Sequence, residues 1–265
     1  MVSQIVIILD LVGAFLGIFG SLSFILSFIL LKEIRTQSRI FILTLSIYNF
    51  LIGVFALLPG YKNQTICKIQ CFLLDSTFPA ACFWIFQISF AYYLQICRGF
   101  DMENSKLFFW ISFVTIQLIC FFLGALSLSI GTIFHGRSYW CFLSNRKLHS
   151  IHYALIWVFL AATPIFYTLV ICKIRKKETN YPKSFQIKMF FLAFVYVFTE
   201  FWLTINRATQ DQEENKHEES FLDSAQAFFS PLLGFWDFVF FVWGDNFVWA
   251  LIVSQCCGHK YTPFK

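Results

Sequence analysis

Asp75 and Glu200 lie inside long apolar runs. An ionisable side chain within a membrane is costly and by default marks a functional site. Asp75 follows Cys67 by eight residues, ~12 Å along a helix, and Glu200 precedes Arg207 by seven, ~10 Å. Those depths place both acids in the outer half of a helical bundle, within reach of a ligand. The alternative is that each carboxyl is protonated or hydrogen-bonded to a neighbouring helix. Catalytic chemistry finds few other residues. His135, His149, His152, His217 and His259 fall in loops, at span edges or in the tail, whereas a membrane zinc hydrolase needs His ligands inside the bilayer. The nine Cys show no CxxC or Cys/His zinc spacing. No Lys lies between Phe221 and His259 to hold a retinal Schiff base. The sequence therefore predicts no enzyme, no metal and no cofactor.

The elements that position these acids are spans. Of the 265 residues, 58% are hydrophobic and 13% charged, about half the charge of an ordinary soluble domain. A water-facing surface cannot be made from so little charge, and the 37 Phe spread along the chain suit lipid. Seven segments are long and apolar enough to cross a bilayer: approximately 5–31, 39–59, 68–96, 107–134, 151–172, 187–206 and 224–252. The third is weakest at its outer end, where Asp75 and Pro79 interrupt it, and Pro164 and Pro231 interrupt the fifth and seventh. Lipid-exposed irregular backbone would leave amides unsatisfied, so helices are expected throughout. The expected fold is an all-α membrane protein, a seven-transmembrane-helix bundle over 1–254 with a short tail over 255–265.

Basic residues set the orientation. The loops after spans one, three and five, with the tail, carry thirteen of the twenty Lys and Arg. That side is expected to be cytoplasmic, with the N-terminus outside and the C-terminus inside, in the plasma membrane. The sequon Asn63-Gln64-Thr65 then falls outside, where Asn63 could carry a glycan. The +5 net charge reports topology rather than nucleic-acid binding. Cys67 and Cys141 fall on the outside, where thiols oxidise, and Cys71 is a rival partner one turn deeper. Cys256 and Cys257, just inside the membrane, are either palmitoylated or free juxtamembrane thiols.

Short motifs recur in order along the chain: LSIYNFL at Leu45 to Leu51, Cys67-Lys68-Ile69-Gln70 with Trp84 further down, FWLTINR at Phe201 to Arg207 with Trp202 inside it, and SPLLGFWDFVFFVWGDN in span seven. In these motifs the chain resembles the G-protein-coupled receptors, particularly the slime-mould cyclic AMP receptor-like family with its secretin-receptor relatives. The departures are the absence of an Asp-Arg-Tyr triplet in AYYLQICRGF and a tail of about a dozen residues where the family often has a long Ser/Thr-rich one. The resemblance implies a Cys67–Cys141 disulfide and a small extracellular ligand near Asp75, Trp84, Glu200 and Trp202. It also implies a heterotrimeric G protein at Arg98, Lys173, Arg175, Lys176 and Lys177, and a hinge at Pro231 and Gly234. Related receptors place Asp in span two and Asn in span seven. Here Asn49 and Asp237 are exchanged, and together they are expected to form a polar switch. The competing reading is a seven-span small-solute transporter or channel, although no internal repeat supports duplicated halves.

Overall fold

In the computed structural model, residues 4–59, 63–102, 104–130, 133–135, 140–143, 146–177, 183–210 and 221–243 are described. They are nearly all helical: α1 (Gln4–Leu30), α2 (Gln37–Ala56), α3 (Gln64–Arg98), α4 (Lys106–Ile130), α5 (Arg146–Lys177), α6 (Lys183–Gln210), α7 (Phe221–Phe229) and α8 (Leu233–Asp237), the last running into a π-helical stretch, Phe238–Trp243. Among the described residues, α1 to α5 are long and apolar enough to cross a membrane. The bent pair formed by α7 and the helix from Leu233 is a sixth candidate, and α6 contributes a shorter apolar stretch, Phe190–Asn206.

Local chemistry sets the helix ends. Thr36 caps α2 through its hydroxyl, which accepts from Arg39 N–H at 3.4 Å. Asn63 caps α3 by accepting from Thr65 N–H at 2.7 Å. At the other end of α3 the chain turns at Gly99, whose φ of 71° is left-handed and open to glycine without a Cβ clash. Arg35 folds back on the open carbonyls of α1, donating from Nε to Phe28 O at 3.1 Å and from its other arm to Ile29 O. A cation at a helix C-terminus satisfies carbonyls and the helix dipole together.

The third and fifth expected spans are continuous helices, α3 past Asp75 and through Pro79, and α5 through Pro164. One missing N–H does not stop a helix whose flanks are packed, and packing is dense here: α3 touches α2, α4 and α5 along its length. The fourth span ends at Ile130 rather than 134. Beyond it, Ile133–His135 (β1) and Cys141–Leu143 (β2) pair antiparallel as a short hairpin, with His135 opposite Cys141, so the strand begins where the span was expected to run on to 134.

Around the bundle, α1 packs on α2 and on both α7 and α8, α5 packs on α6, and α6 packs on α7. The ring thus closes between the first and last helices, with α3 towards its middle. The closure depends on bare backbone. A methyl at Gly17 would collide with the Pro231 carbonyl, and one at Gly20 with the Gly234 carbonyl. Small residues let helices approach this closely where no hydrophobic effect drives association. Pro231 ends α7, and the helix resumes at Leu233 with a 47° bend. Side chains such as Phe15, Phe19, Leu118, Phe122 and Val158 point outward and are more than half exposed, as lipid-facing residues are.

Candidate functional site

Polar side chains line the interior at three levels. The first, the outer level of the expected topology, begins with the disulfide. Cys67 and Cys141 are bonded, with Cα atoms 5.3 Å apart, and both are buried. Cys71, one turn further along α3, lies outside the disulfide. Gln70 reinforces the tether. Its Oε1 accepts from Cys141 N–H at 3.1 Å, while its Nε2 donates to Phe55 O at 3.2 Å and Leu58 O at 2.8 Å. One amide therefore joins the hairpin, α3 and the end of α2. The hairpin carries Trp140 into the bundle, where it is only 2% exposed, against Phe78 of α3 at 6.0 Å between rings. Its indole lies near the carboxyl of Asp10, which α1 buries completely, without closing a regular hydrogen bond to it. Across the same end, Asn206 of α6 donates to Asp223 Oδ1 at 3.1 Å and to Gln226 Oε1, tying α6 to α7.

The middle level joins α3 to α6. The Cys82 thiol donates to Glu200 Oε1 at 3.3 Å, with both side chains buried, and Glu200 Oε2 has no hydrogen-bond partner among the described residues.

The inner level is the most connected. Asp237 Oδ2 accepts from Ser46 Oγ at 2.8 Å and from Asn49 Nδ2 at 3.0 Å. Asn49 also exchanges hydrogen bonds with the Tyr196 hydroxyl, donating at 2.7 Å and accepting at 3.0 Å. All four residues are fully buried. Asn49 of α2 therefore links the Asp237 carboxyl of α8 to the Tyr196 hydroxyl of α6, below the Pro231 break. Tyr196 lies four residues before Glu200, so both share a face of α6 and the middle and inner levels adjoin.

The candidate ligand residues do not converge. Asp75 is half-buried, takes a weak bond from the Cys71 thiol at 3.6 Å and lies within electrostatic reach of His152 on α5. Trp84 turns away from them, sealed against Phe41 of α2 at 5.8 Å and Phe109 of α4 at 5.7 Å. Glu200 faces α3, whereas Trp202, two residues on, is half-buried against Phe198 and Phe221 on another side of α6. Asn49 and Asp237 do meet, and Pro231 and Gly234 sit at the bend.

At the far end of α3, Arg98 donates from Nε to the Tyr93 hydroxyl at 3.2 Å, and its guanidinium lies 5.9 Å from that ring's centre. Lys173 of α5 comes near the same end, acting with Arg98 on the intervening Cys97, and Arg175 is exposed nearby on α5. Lys176 and Lys177 continue the helical backbone, but their side chains lie outside the described residues, as do Cys256 and Cys257 altogether. Asn63 is exposed at the disulfide end, and among the described residues no group of His, Cys, Asp and Glu could hold a metal.

Asp10, Gln70, Cys82, Trp140 and Tyr196 went unnoticed in the sequence as site residues. Asp10 carried a signal, being the only charged residue in the 27-residue α1. Tyr196 carried a fainter one, standing one helical turn from Glu200. Comparison of the chain with protein-family models and with curated proteins gave no match.

Proposed function

We propose that this chain is a G-protein-coupled receptor of the slime-mould cyclic AMP receptor-like kind, crossing the plasma membrane seven times with its N-terminus outside. It would bind a small ligand in the outer level of the bundle and pass the signal to a heterotrimeric G protein at the basic end formed by Arg98, Lys173 and Arg175. The supporting observation is the inner network, in which one buried carboxyl, Asp237, accepts from Ser46 and Asn49 of α2, and Asn49 in turn exchanges bonds with Tyr196 of α6. A signalling bundle needs helices with two discrete arrangements and a ligand whose affinity differs between them. A hydrogen-bonded knot beside a helix break meets the first requirement, because its bonds are made or broken as a set. The outer tether and the Asn206–Asp223–Gln226 cluster give a ligand mechanical purchase on α3, α6 and α7.

The experiment is nucleotide exchange on purified heterotrimers by the protein in nanodiscs. A receptor raises exchange above empty discs, and Tyr196→Phe, which removes one arm of the knot, shifts the basal rate. Exchange equal to empty discs for both proteins overturns the reading. The buried acids Asp10, Glu200 and Asp237 favour one alternative, since intramembrane carboxyls also mark ion and solute pathways. A transporter or channel would show solute uptake into liposomes without any G protein.

A further inference from the structure

The outer level contains a carboxyl poorly served by its surroundings. Asp10 is fully buried, and neither of its oxygens closes a regular hydrogen bond among the described residues. The donor whose interaction reaches it is the indole N–H of Trp140. Among the described residues no Lys or Arg side chain is buried, while Asp10, Glu200, Asp223 and Asp237 all are. The interior thus presents acids and offers no permanent cation of its own. A single neutral N–H is a weak match for a buried carboxylate, whose bonds to charged donors are roughly twice as strong as those to neutral ones.

Trp140 belongs to the connection that runs through the hairpin, not to a helix, and its neighbour Cys141 is pinned to α3 by the disulfide and by Gln70. A ring delivered by a short connection can be displaced without unpacking a span. Its two neighbours describe what it stands in for: the ring of Phe78 on one side and the carboxyl of Asp10 on the other.

We propose that the outer level of the bundle binds an aromatic cation, whose ammonium group takes the Asp10 carboxyl and whose ring takes the place held by the Trp140 indole. This rests on reading the outer level as the receptor's ligand site, and it adds the ligand's chemical class. The ammonium supplies the charge-assisted bonds that the indole cannot, and the ring preserves the packing on Phe78. Trp140 acts as a tethered competitor, so the ligand's apparent affinity is its intrinsic affinity reduced by the fraction of time the indole is seated.

The test is binding of tryptamine and of indole-3-acetate to the full chain in nanodiscs, read by calorimetry and thermal shift with no G protein present. Tryptamine should bind and raise the melting temperature, and the acetate, with the same ring and opposite charge, should do neither. Asp10→Asn should fold and lose about tenfold or more in tryptamine affinity. Trp140→Ala should bind tryptamine more tightly than the parent. If that variant fails to fold, Trp140→Phe keeps a ring on Phe78, removes the N–H, and should still bind more tightly. Equal binding of the acetate, unchanged affinity in Asp10→Asn, weaker binding in Trp140→Phe, or no tryptamine binding by any variant overturns the proposal. Because binding is read directly, a protein that binds tryptamine yet drives no nucleotide exchange upholds this inference and defeats the receptor reading alone.

Discussion

Asn49 Nδ2 lies 3.0 Å from Asp237 Oδ2, joining α2 to α8 across 188 residues of chain. An amide can donate and accept, whereas an ionised carboxylate only accepts, so either residue could occupy either helix and the pair would still bond. Asn49→Asp should place two acids together, and Asp237→Asn should leave none. Each should lower thermal stability, by about 1–3 kcal/mol for a buried partner left unsatisfied. The double exchange should recover much of the loss, because contacting residues are not additive. Melting curves of the four proteins in nanodiscs complete the cycle, and strictly additive losses would show that the two residues act independently.

Removal of the tether should loosen the outer end. Cys141→Ser breaks a bond that closes a loop of 74 residues, and losses of about 2–5 kcal/mol are usual when a native disulfide goes. The Cys141 N–H to Gln70 contact can survive, so Gln70→Ala on top of Cys141→Ser should cost more than either alone. Mass mapping of the unreduced protein should recover the Cys67–Cys141 peptide pair and leave Cys71 free to alkylate after unfolding.

The seam between α1 and the bent segment tolerates no added side chain. Gly17→Leu should abolish folded protein, because the collision is with backbone at Pro231 that cannot rotate away. Gly99→Ala faces open space and meets only the strain of φ 71°, so it should cost about 1–2 kcal/mol and leave folding intact. Size-exclusion profiles of the two variants check the contrast.

Orientation is tested at the two ends of α3. Asn63 is exposed at the disulfide end and should accept a glycan in a microsomal translation assay. A cysteine introduced at Arg98 in a background lacking other exposed thiols should be labelled only after permeabilisation. The reverse pattern at both positions would invert the topology.

The helices were legible because a long apolar run with so few charges has no other stable form in a membrane. The Asn49–Asp237 contact was legible through the resemblance, because related receptors set a carboxyl and an amide at these two places and this chain carries the same pair exchanged. Asp75 and Pro79 interrupt the apolar run and left the outer end of the third span faint, and neighbours on three sides of α3 hold the helix together there. The hairpin with Trp140 was not legible. Three-residue strands carry almost no periodic signal, and the depth an indole reaches depends on the tether rather than on its own segment. Trp84 read as a ligand residue from its motif alone, and only packing reveals that it faces Phe41 and Phe109.

The seam at Gly17 and Gly20 also orders events during synthesis. α1 enters the bilayer long before its partners at Pro231 and Gly234 exist. At 5–20 residues per second the delay is roughly ten to forty seconds. Through that interval the glycine face of α1 stays uncovered, and no later helix except the bent one covers the seam. The nascent bundle is therefore an open crescent until its last segment inserts. A ribosome stalled before residue 221 would leave a chain whose first helix is unpaired on one side, exposed to membrane quality control. Degradation should then fall sharply once the Pro231 bend clears the translocon.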